Sequence, residues 1–427
     1  MQKKGKLELT WVGKYDEKEI EPRILVEDKS KSYGDPDSEN MLIHGDNLIA
    51  LKALEQDYAG RIKCIYIDPP YNIDAAGVPY DDNLENSTWL SLMAERIKLL
   101  HGLLDDDGYM LIQVDDEEQA YLKIVCDEIF GRSNFVNMLV IESGEVYGTK
   151  AKHIYKSFVK VKDYILVYSK NESKRRPIKP LWTKTNESYD PHYSNYIDKS
   201  LNKCSIIDYL KQKSWVVEIF KSLNLKLSKD NISKAMLLNE QFNNFMFSDD
   251  VANNIYQDQP YNRDLPSHVL QRLQIEPIVS FAGLLLFTTA TGSIRYYQPF
   301  SDALHLTHDY ESVYTRSTAR GDLWKNYHID MRNVGDEGGV QFKNSKKPER
   351  LIRDILYSYT EPGDLILDSF LGSGTTISVA HKMNRKWIGI ELGEHAYTLC
   401  KPRIDSVVDG EQSGISKSVN WQGGGGY

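Results

Sequence analysis

Two short apolar runs, each stopped by an acid, constrain this chain more than anything else in its sequence. Cys64-Ile65-Tyr66-Ile67 runs into Asp68, and Leu365-Ile366-Leu367 runs into Asp368. A strand with almost no polar position has no face to offer to water, so it belongs in a parallel sheet covered on both sides by helices. The acids then fall at the carboxyl ends of the strands, where open α/β sheets hold their ligands. The neighbouring sequence supplies the cover. Met41 to His44 reads as a strand, Leu48 to Leu54 as a helix, Gly108 to Val114 as a strand, and Glu117 to Phe130 as a helix stopped by Gly131. Thr88 to Leu104 carries Trp89, Leu92, Met93, Ile97 and Leu100 at the spacing of an amphipathic helix that packs on a sheet. This alternation predicts a doubly wound α/β sheet.

The first acid opens the tetrad Asp68-Pro69-Pro70-Tyr71. Its residue types suit methyl transfer to a planar exocyclic amine, a poor nucleophile because its lone pair is delocalised into the ring. If the Asp68 carboxylate and the Pro69 carbonyl each accept an N–H, the nitrogen can pyramidalise and turn its lone pair toward an electrophile. Proline fixes φ and leaves a carbonyl without a competing amide hydrogen. Tyr71 offers a flat face on which an extruded base can stack, worth roughly 1–3 kcal/mol. In isolation the same residues also describe a strand that ends in a Pro-Pro turn with a capping Asp.

The second acid opens D-S-F-L-G-S-G-T-T. Gly372 and Gly374 allow a tight turn and close approach to a ligand, and the Thr375 and Thr376 hydroxyls are placed to cap the helix that follows. The loop lacks the lysine of a phosphate-gripping P-loop. A further short strand, Lys386 to Leu392, contains Glu391, an acid where ribose hydroxyls are commonly held. The glycine pair alone is a weak signal.

Together these motifs resemble the amino-methylating DNA methyltransferases that use S-adenosylmethionine. The tetrad precedes the glycine loop by about 300 residues, the circularly permuted order of the β group. The segments H-G-D-N-L at His44, V-D-D-E-E at Val114, I-F-G-R-S-N-F at Ile129, D-Y-I-L-V-Y-S-K at Asp163, G-D-L-W at Gly321 and G-I-S-K-S-V-N-W-Q-G-G-G-G at Gly414 are similar to the modification subunits of type III restriction-modification systems. The resemblance covers about 270 residues, everything but the middle of the chain. It implies a Rossmann-like sheet interrupted by a target-recognition region, and site-specific N6 methylation of a flipped adenine without a metal. It places Asp46 and Asn47 at the cofactor's adenine, with Phe370 packing on that ring, Asp368 in the cofactor crevice, and Lys343 or Asn344 toward the methionine carboxylate. Ser369 stands where the family commonly has proline, which loosens the turn. Cytosine N4 is chemically equivalent at the amine, and a DNA-specificity module that binds cofactor without catalysis is a further alternative. Duplex DNA is the implied substrate, a homodimer a candidate assembly, and a restriction (helicase/nuclease) subunit a candidate partner, although larger modification subunits continue well past the position of Tyr427.

Composition sets the remaining bounds. With 427 residues and 41% hydrophobic content the chain can bury a core large enough for two domains. The expected division is a catalytic half over 1–170, a recognition region over 171–320, a cofactor half over 321–410 and a tail over 411–427. The N-terminal sequence lacks a signal-peptide core and Ile278 to Ala290 is too short for a bilayer, so a cytoplasmic location is expected. Cys64, Cys126, Cys204 and Cys400 are scattered, which suggests neither a disulfide framework nor a zinc site. The net charge of −9 conceals a basic window from Lys150 to Lys184, with eleven Lys or Arg against Asp163 and Glu172. Such a window is a candidate phosphate track, represented by Lys174, Arg175 and Arg176, or an incidental solvated surface. Ile73 to Ser87 has no clear period and reads as a loop able to close over a substrate.

Overall fold

The computed structural model describes residues 8–16, 20–21, 23–71, 85–146, 155, 157–331, 334–340 and 346–427. The chain divides into two compact units, one formed by 1–180 with 320–427 and the other by 181–319.

The first unit is built on an eight-stranded sheet. In chain order its strands are β1 (Met41–His44), β2 (Ile62–Ile67), β3 (Leu104–Val114), β4 (Phe135–Glu142), β5 (Lys162–Ser169), β6 (Leu323–Trp324), β7 (Leu365–Asp368) and β8 (Lys386–Glu391). Their spatial order is β1-β8-β7-β2-β3-β5-β4-β6. The run from β1 to β3 is parallel throughout, β5 is antiparallel to both β3 and β4, and β4 and β6 are parallel. Strands from the end of the sequence therefore lie between strands from its beginning. This sheet matches the doubly wound architecture expected from the alternating motifs.

Helices α1 (Asn47–Tyr58), α2 (Asn86–Leu103) and α3 (Gln119–Phe130) cover one face. Ile65 and Ile67 of β2, Met110 and Ile112 of β3, Leu367 of β7 and Ile388 and Ile390 of β8 pack there with Leu51, Met93, Ile97, Leu122 and Val125. Each such side chain contributes roughly 1.5–3 kcal/mol on burial. The alternate strand residues serve the opposite face, where Tyr109 of β3 meets Tyr359 of α4 (Glu349–Tyr359) edge-on at 5.0 Å. Both faces are covered, which is why these strands read as unbroken apolar runs. Cap chemistry sets the helix ends. Asp46 caps α1 by accepting from the Leu48 amide at 2.8 Å, and Gly131, at φ +84°, ends α3.

The last segment is not a free tail. Trp421 Nε1 donates to the Val407 carbonyl at 2.7 Å, and the Tyr33 and Tyr427 backbones exchange two hydrogen bonds of 3.0 Å. The glycine run has a steric reason, since a Cβ on Gly423 would meet the Val408 carbonyl at 2.9 Å and one on Gly425 the His381 ring at 2.8 Å.

The second unit holds a six-stranded antiparallel sheet, with Ile255–Pro260 and Ile294–Pro299 at its centre, a three-stranded sheet, and a helical cluster. The helical spacing read over Ile206 to Leu223 resolves into two helices, Ile206–Lys211 and Ser214–Ser222, around a core of Leu210, Val216, Phe220, Phe242 and Met246. Cys64, Cys126 and Cys400 are buried and Cys204 is half-buried, all as free thiols. Among the described residues no helix is long and apolar enough to cross a membrane.

A buried ion triad ties α4 to α5 (Thr375–Lys382) and α6 (Lys401–Val408). Glu349 accepts from Lys382 and from Arg403, both at 2.8 Å, and none of the three side chains is exposed. Lys382 also pairs with Glu411, so removing Glu349 leaves Arg403 as the buried cation without its anion, and Glu349→Ala is expected to cost roughly 3–5 kcal/mol. Urea unfolding of the variant beside the parent chain measures it, and a loss below about 1 kcal/mol would deny the triad this role.

Candidate active site

β7 and β2 are parallel neighbours, with Ile366 opposite Cys64 and Leu367 opposite Ile65. From β7 the next strand, β8, lies to one side; from β2 the next strand, β3, lies to the other. The strand order reverses between them, which opens a crevice at their carboxyl ends. Asp68 and Asp368 both sit there.

Asp68 uses its two oxygens differently. Oδ2 accepts from the Lys347 ammonium at 2.6 Å, while Oδ1 is buried and meets no hydrogen-bond partner among the described residues. The buried Tyr71 hydroxyl lies beside the carboxylate and interacts with it, though outside full hydrogen-bond geometry, and like Lys347 it favours the ionised acid. Burial pushes the Asp68 carboxyl up from its ordinary range, and Lys347 pulls it back. The side chain as a whole keeps 18% exposure, while Oδ1 itself is buried. Trp89 Nε1 donates to the Pro70 carbonyl at 2.8 Å and fixes the turn from α2. Lys347 Nζ stands 4.9 Å from the centre of the Tyr71 ring. Below the turn a polar chain is buried: the Tyr66 hydroxyl donates to Gln113 at 2.6 Å, and Gln113 reaches Asp163 at 3.4 Å.

On the other side of the crevice, Asp368 accepts the Phe370 amide at 3.0 Å. Burial pushes its carboxyl up to about 7, against hydrogen bonds from Thr376 and Phe370 and with Asp68 and Glu391 adding to the rise. Gly372 and Gly374 take φ of +58° and +76°, which explains the choice of glycine. A Cβ on Gly372 would enter open space, whereas one on Gly374 would lie 3.4 Å from the Cys400 backbone. The contact at Gly374 is an ordinary one, so its dihedral is what calls for glycine there. The expected threonine caps are not formed. Gly374 itself occupies the cap position, while Thr375 Oγ1 donates to the Lys347 carbonyl at 3.2 Å and Thr376 bonds to Asp368. Both hydroxyls reach the crevice floor because the left-handed Gly374 turns the helix start inward.

Glu391 is almost fully buried and holds the loop in place. Its carboxylate accepts from the amides of Gly372 at 2.6 Å, Leu392 at 2.9 Å and Gly393 at 3.1 Å. Asn47 donates to the Ser369 carbonyl at 2.7 Å and accepts from Arg96 Nε at 2.5 Å, and Arg96 also approaches Asp46 at 3.6 Å. Asn47 thereby holds the turn that carries Phe370. Lys343, Asn344 and most of the loop expected over Ile73 to Ser87 lie outside the described residues. An open space over Gly372, a buried Ser369 hydroxyl without a partner among the described residues, and acids on three neighbouring strand ends fit a nucleoside cofactor that carries a positive charge. Arg96, Trp89 and Lys347 carry no sequence signal that singles them out as site residues. Arg96 sits one position before Ile97 in the α2 stripe, and Lys347 precedes the Pro348 that caps α4.

The basic window does not form one surface. β5 runs through it, and eight residues at about 3.3 Å each span roughly 25 Å. Lys160 and Lys162 lie at the crevice end, paired with Asp115 at 2.7 Å and Asp116 at 2.5 Å. Lys174 pairs with Asp106 at 2.6 Å, and Arg176 with Asp107 at 2.8 Å and Asp364 at 2.6 Å. Those acids mark the amino ends of β3 and β7, away from the crevice. Arg175 is exposed, and Lys150, Lys152 and Lys156 are outside the described residues. Of the track expected through Lys174, Arg175 and Arg176, Lys174 and Arg176 are paired with carboxylates of the sheet and Arg175 is exposed.

The DNA methylase family profile matches residues 62–402. The probable type III restriction-modification enzyme HindVI Mod subunit of Haemophilus influenzae is 36% identical over 94% of this chain and 55% of its own length. The type III restriction-modification enzyme EcoPI Mod subunit of Escherichia phage P1 is 26% identical over 88% of this chain and 61% of its own. The chain thus spans about half to three-fifths of the length of these two relatives. Among solved structures, TTHA0409, a DNA modification methylase of Thermus thermophilus described as putative and complexed with S-adenosyl-L-methionine, aligns with a TM-score of 0.40 at 14% identity, over 86% of this chain and 93% of that one.

Since Lys174 and Arg176 are already paired with acids of the sheet, the Lys174→Ala/Arg176→Ala variant is expected to keep the salt dependence of duplex binding. Fluorescence anisotropy over a salt series measures the slope; a fall of about two units would restore the track.

Proposed function

Because the chain belongs to the N6/N4 DNA methylase family, we propose that it methylates the N6 amino group of a flipped adenine in duplex DNA, as the modification part of a type III restriction-modification system. The observation that carries this reading is the divided Asp68 carboxylate: one oxygen is held by a cation and the other is left, buried and unpartnered among the described residues, beside Tyr71. The names of the Mod-subunit relatives support the type III assignment and a restriction subunit as partner.

S-adenosylmethionine, when bound, supplies an electrophilic methyl group. Asp368, Phe370, Gly372 and Gly374, with Glu391, Asp46 and Asn47, are the residues that would hold it. Asp68 Oδ1 and the Pro69 carbonyl accept the two amine hydrogens, and the Asp68 charge stabilises the positive charge that develops on nitrogen. The Tyr71 ring stacks on the extruded base, offsetting the few kcal/mol that flipping costs. The work is positioning and electrostatics, with reactants held at near-attack distance. Residues 181–319 serve as the target-recognition region. Their six-stranded sheet carries a cleft lined by His192, Lys229, Gln257, Gln259 and Arg295, side-chain types that read base edges and phosphates.

Transfer of tritiated methyl to plasmid DNA, followed by mass spectrometry of the nucleosides, tests the reading. N6-methyladenine is expected, and N4-methylcytosine would reassign the target. Asp68→Ala should abolish turnover while leaving cofactor affinity by calorimetry within about threefold, because it removes a transition-state acceptor. Near-normal turnover would sink the mechanism. Tyr71→Ala should lose far more activity than Tyr71→Phe, since the ring does the stacking.

Exchange of 181–319 for the equivalent segment of a relative should move the methylated motif and preserve cofactor affinity. Single-molecule sequencing of DNA from expressing cells reads the motif, and an unchanged site would place recognition elsewhere.

A further inference from the structure

We propose that Lys347 is a positioning residue for the transfer: it keeps the Asp68 carboxylate ionised through one oxygen and so leaves the other free to accept from the substrate amine. The proposal rests on the methyltransferase reading above and adds a residue to it.

The geometry is specific. Lys347 Nζ lies 2.6 Å from Asp68 Oδ2, with the two side chains only 15% and 18% exposed. The lysine is held at both ends of its reach: its carbonyl accepts from Thr375 Oγ1 at 3.2 Å, its neighbour Pro348 caps α4, and its ammonium stands over the Tyr71 ring. One residue therefore links the start of the cofactor-loop helix to the catalytic acid.

The surroundings explain why a cation is needed. Asp163 of β5 faces Asp68 with its own negative charge, and Tyr66 of β2 is uncharged beside it. Asp368 of β7 adds a further acid, with Glu391 of β8 behind it. Lys160 comes within 6.0 Å of the Tyr71 ring but is paired with Asp115 at 2.7 Å and lies 4.0 Å from Asp163. Among the described residues Lys347 is the cation paired with Asp68. Burial and like charges favour the protonated acid, and a protonated Asp68 cannot stabilise positive charge on the amine. Without Lys347 the proton would be held to higher pH.

The sign follows. Asp68 must be ionised to act, so removing Lys347 moves the acid limb of the pH–kcat profile upward, and activity returns at high pH. Lys347→Met is expected to move that limb by about one pH unit or more, roughly a tenfold loss on the acid side, with calorimetric affinity for S-adenosylmethionine within about threefold. Lys347→Arg, which keeps the charge, should stay near the parent profile. A second readout is independent of turnover. In chains labelled with carbon-13 at aspartate carboxyls, the Asp68 resonance, identified by its loss in Asp68→Asn, should titrate at higher pH in Lys347→Met. Circular dichroism verifies folding, and Lys347→Gln replaces Lys347→Met if that variant does not fold. An unmoved Asp68 titration, or a pH-independent loss that Lys347→Arg does not rescue, overturns the role of Lys347 even in an active enzyme. A parent chain that transfers no methyl to DNA overturns the enzymatic reading itself, and the role with it.

Discussion

The parallel pairing of β7 with β2 is the constraint on which the rest depends. It joins segments about 300 residues apart in sequence, and it does so through a short, wholly buried register, Ile366 to Cys64 and Leu367 to Ile65. A slip of one residue would turn every side chain to the opposite face and move Asp368 relative to Asp68. Register is pinned from both sides, because Leu367 belongs with the α1, α2 and α3 core and Ile366 with the other face. Apolar packing that is indifferent to chemistry thus sets the separation of the two acids.

That placement has an electrostatic cost. Asp68, Asp368, Glu391 and Asp163 are brought together, and burial disfavours the charged forms of Asp68 and Asp368. Each is compensated by a different means. Glu391 gathers three backbone amides, Asp368 takes an amide and a hydroxyl, Asp163 has an amide side chain and a distant lysine, and Asp68 has Lys347. Of these compensations, only the last sets a lysine charge at hydrogen-bond distance. The difference matters because backbone donors occupy the oxygens they serve, while a single ammonium on one oxygen leaves the other to accept.

The sequence makes the architecture legible where local pattern and tertiary role coincide. β1, a half-buried edge strand, is read with its observed bounds, and β2, β7 and β8 nearly so, because those three are largely buried and carry few polar residues to blur the edge. The acids and glycines of the crevice are legible for the same reason: a strand end and a positive φ each demand few residue types. What cannot be read is the reach of side chains across the fold. Thr375 and Thr376 look like caps in one dimension and become crevice contacts once Gly374 takes the cap position. Lys347 looks like a surface lysine before a helix, and nothing local distinguishes it from Lys346, which instead donates to the backbone carbonyl of Val340. Residues 181–319 are opaque because short strands and helices there pack around a core assembled from distant segments, with no strong period of their own.

The charge pattern shows the same limit most sharply. A run of basic residues suggests one surface only if the chain stays on one surface, and a strand does not. β5 carries the chain from the crevice end of the sheet to the far end, so Lys162 and Lys174, twelve residues apart in sequence, face different acids in different places. The acids in question, Asp105, Asp106 and Asp107 at one end and Asp115 and Asp116 at the other, bracket β3, which runs antiparallel beside β5. Two charged strand ends of opposite sign are thereby matched, end to end, across one pair of strands. The local excess of lysine and arginine is in part an account of how β5 finds its place beside β3 and not of what the surface binds. Exposed pairs of this kind contribute little stability each, but a register shift of β5 along β3 would part Lys160 and Lys162 from Asp115 and Asp116 and Lys174 and Arg176 from Asp106 and Asp107 together. Net charge and basic windows therefore carry weight for ligand binding only after the sheet's own acids have been subtracted, and here Lys160, Lys162, Lys174 and Arg176 each have such an acid.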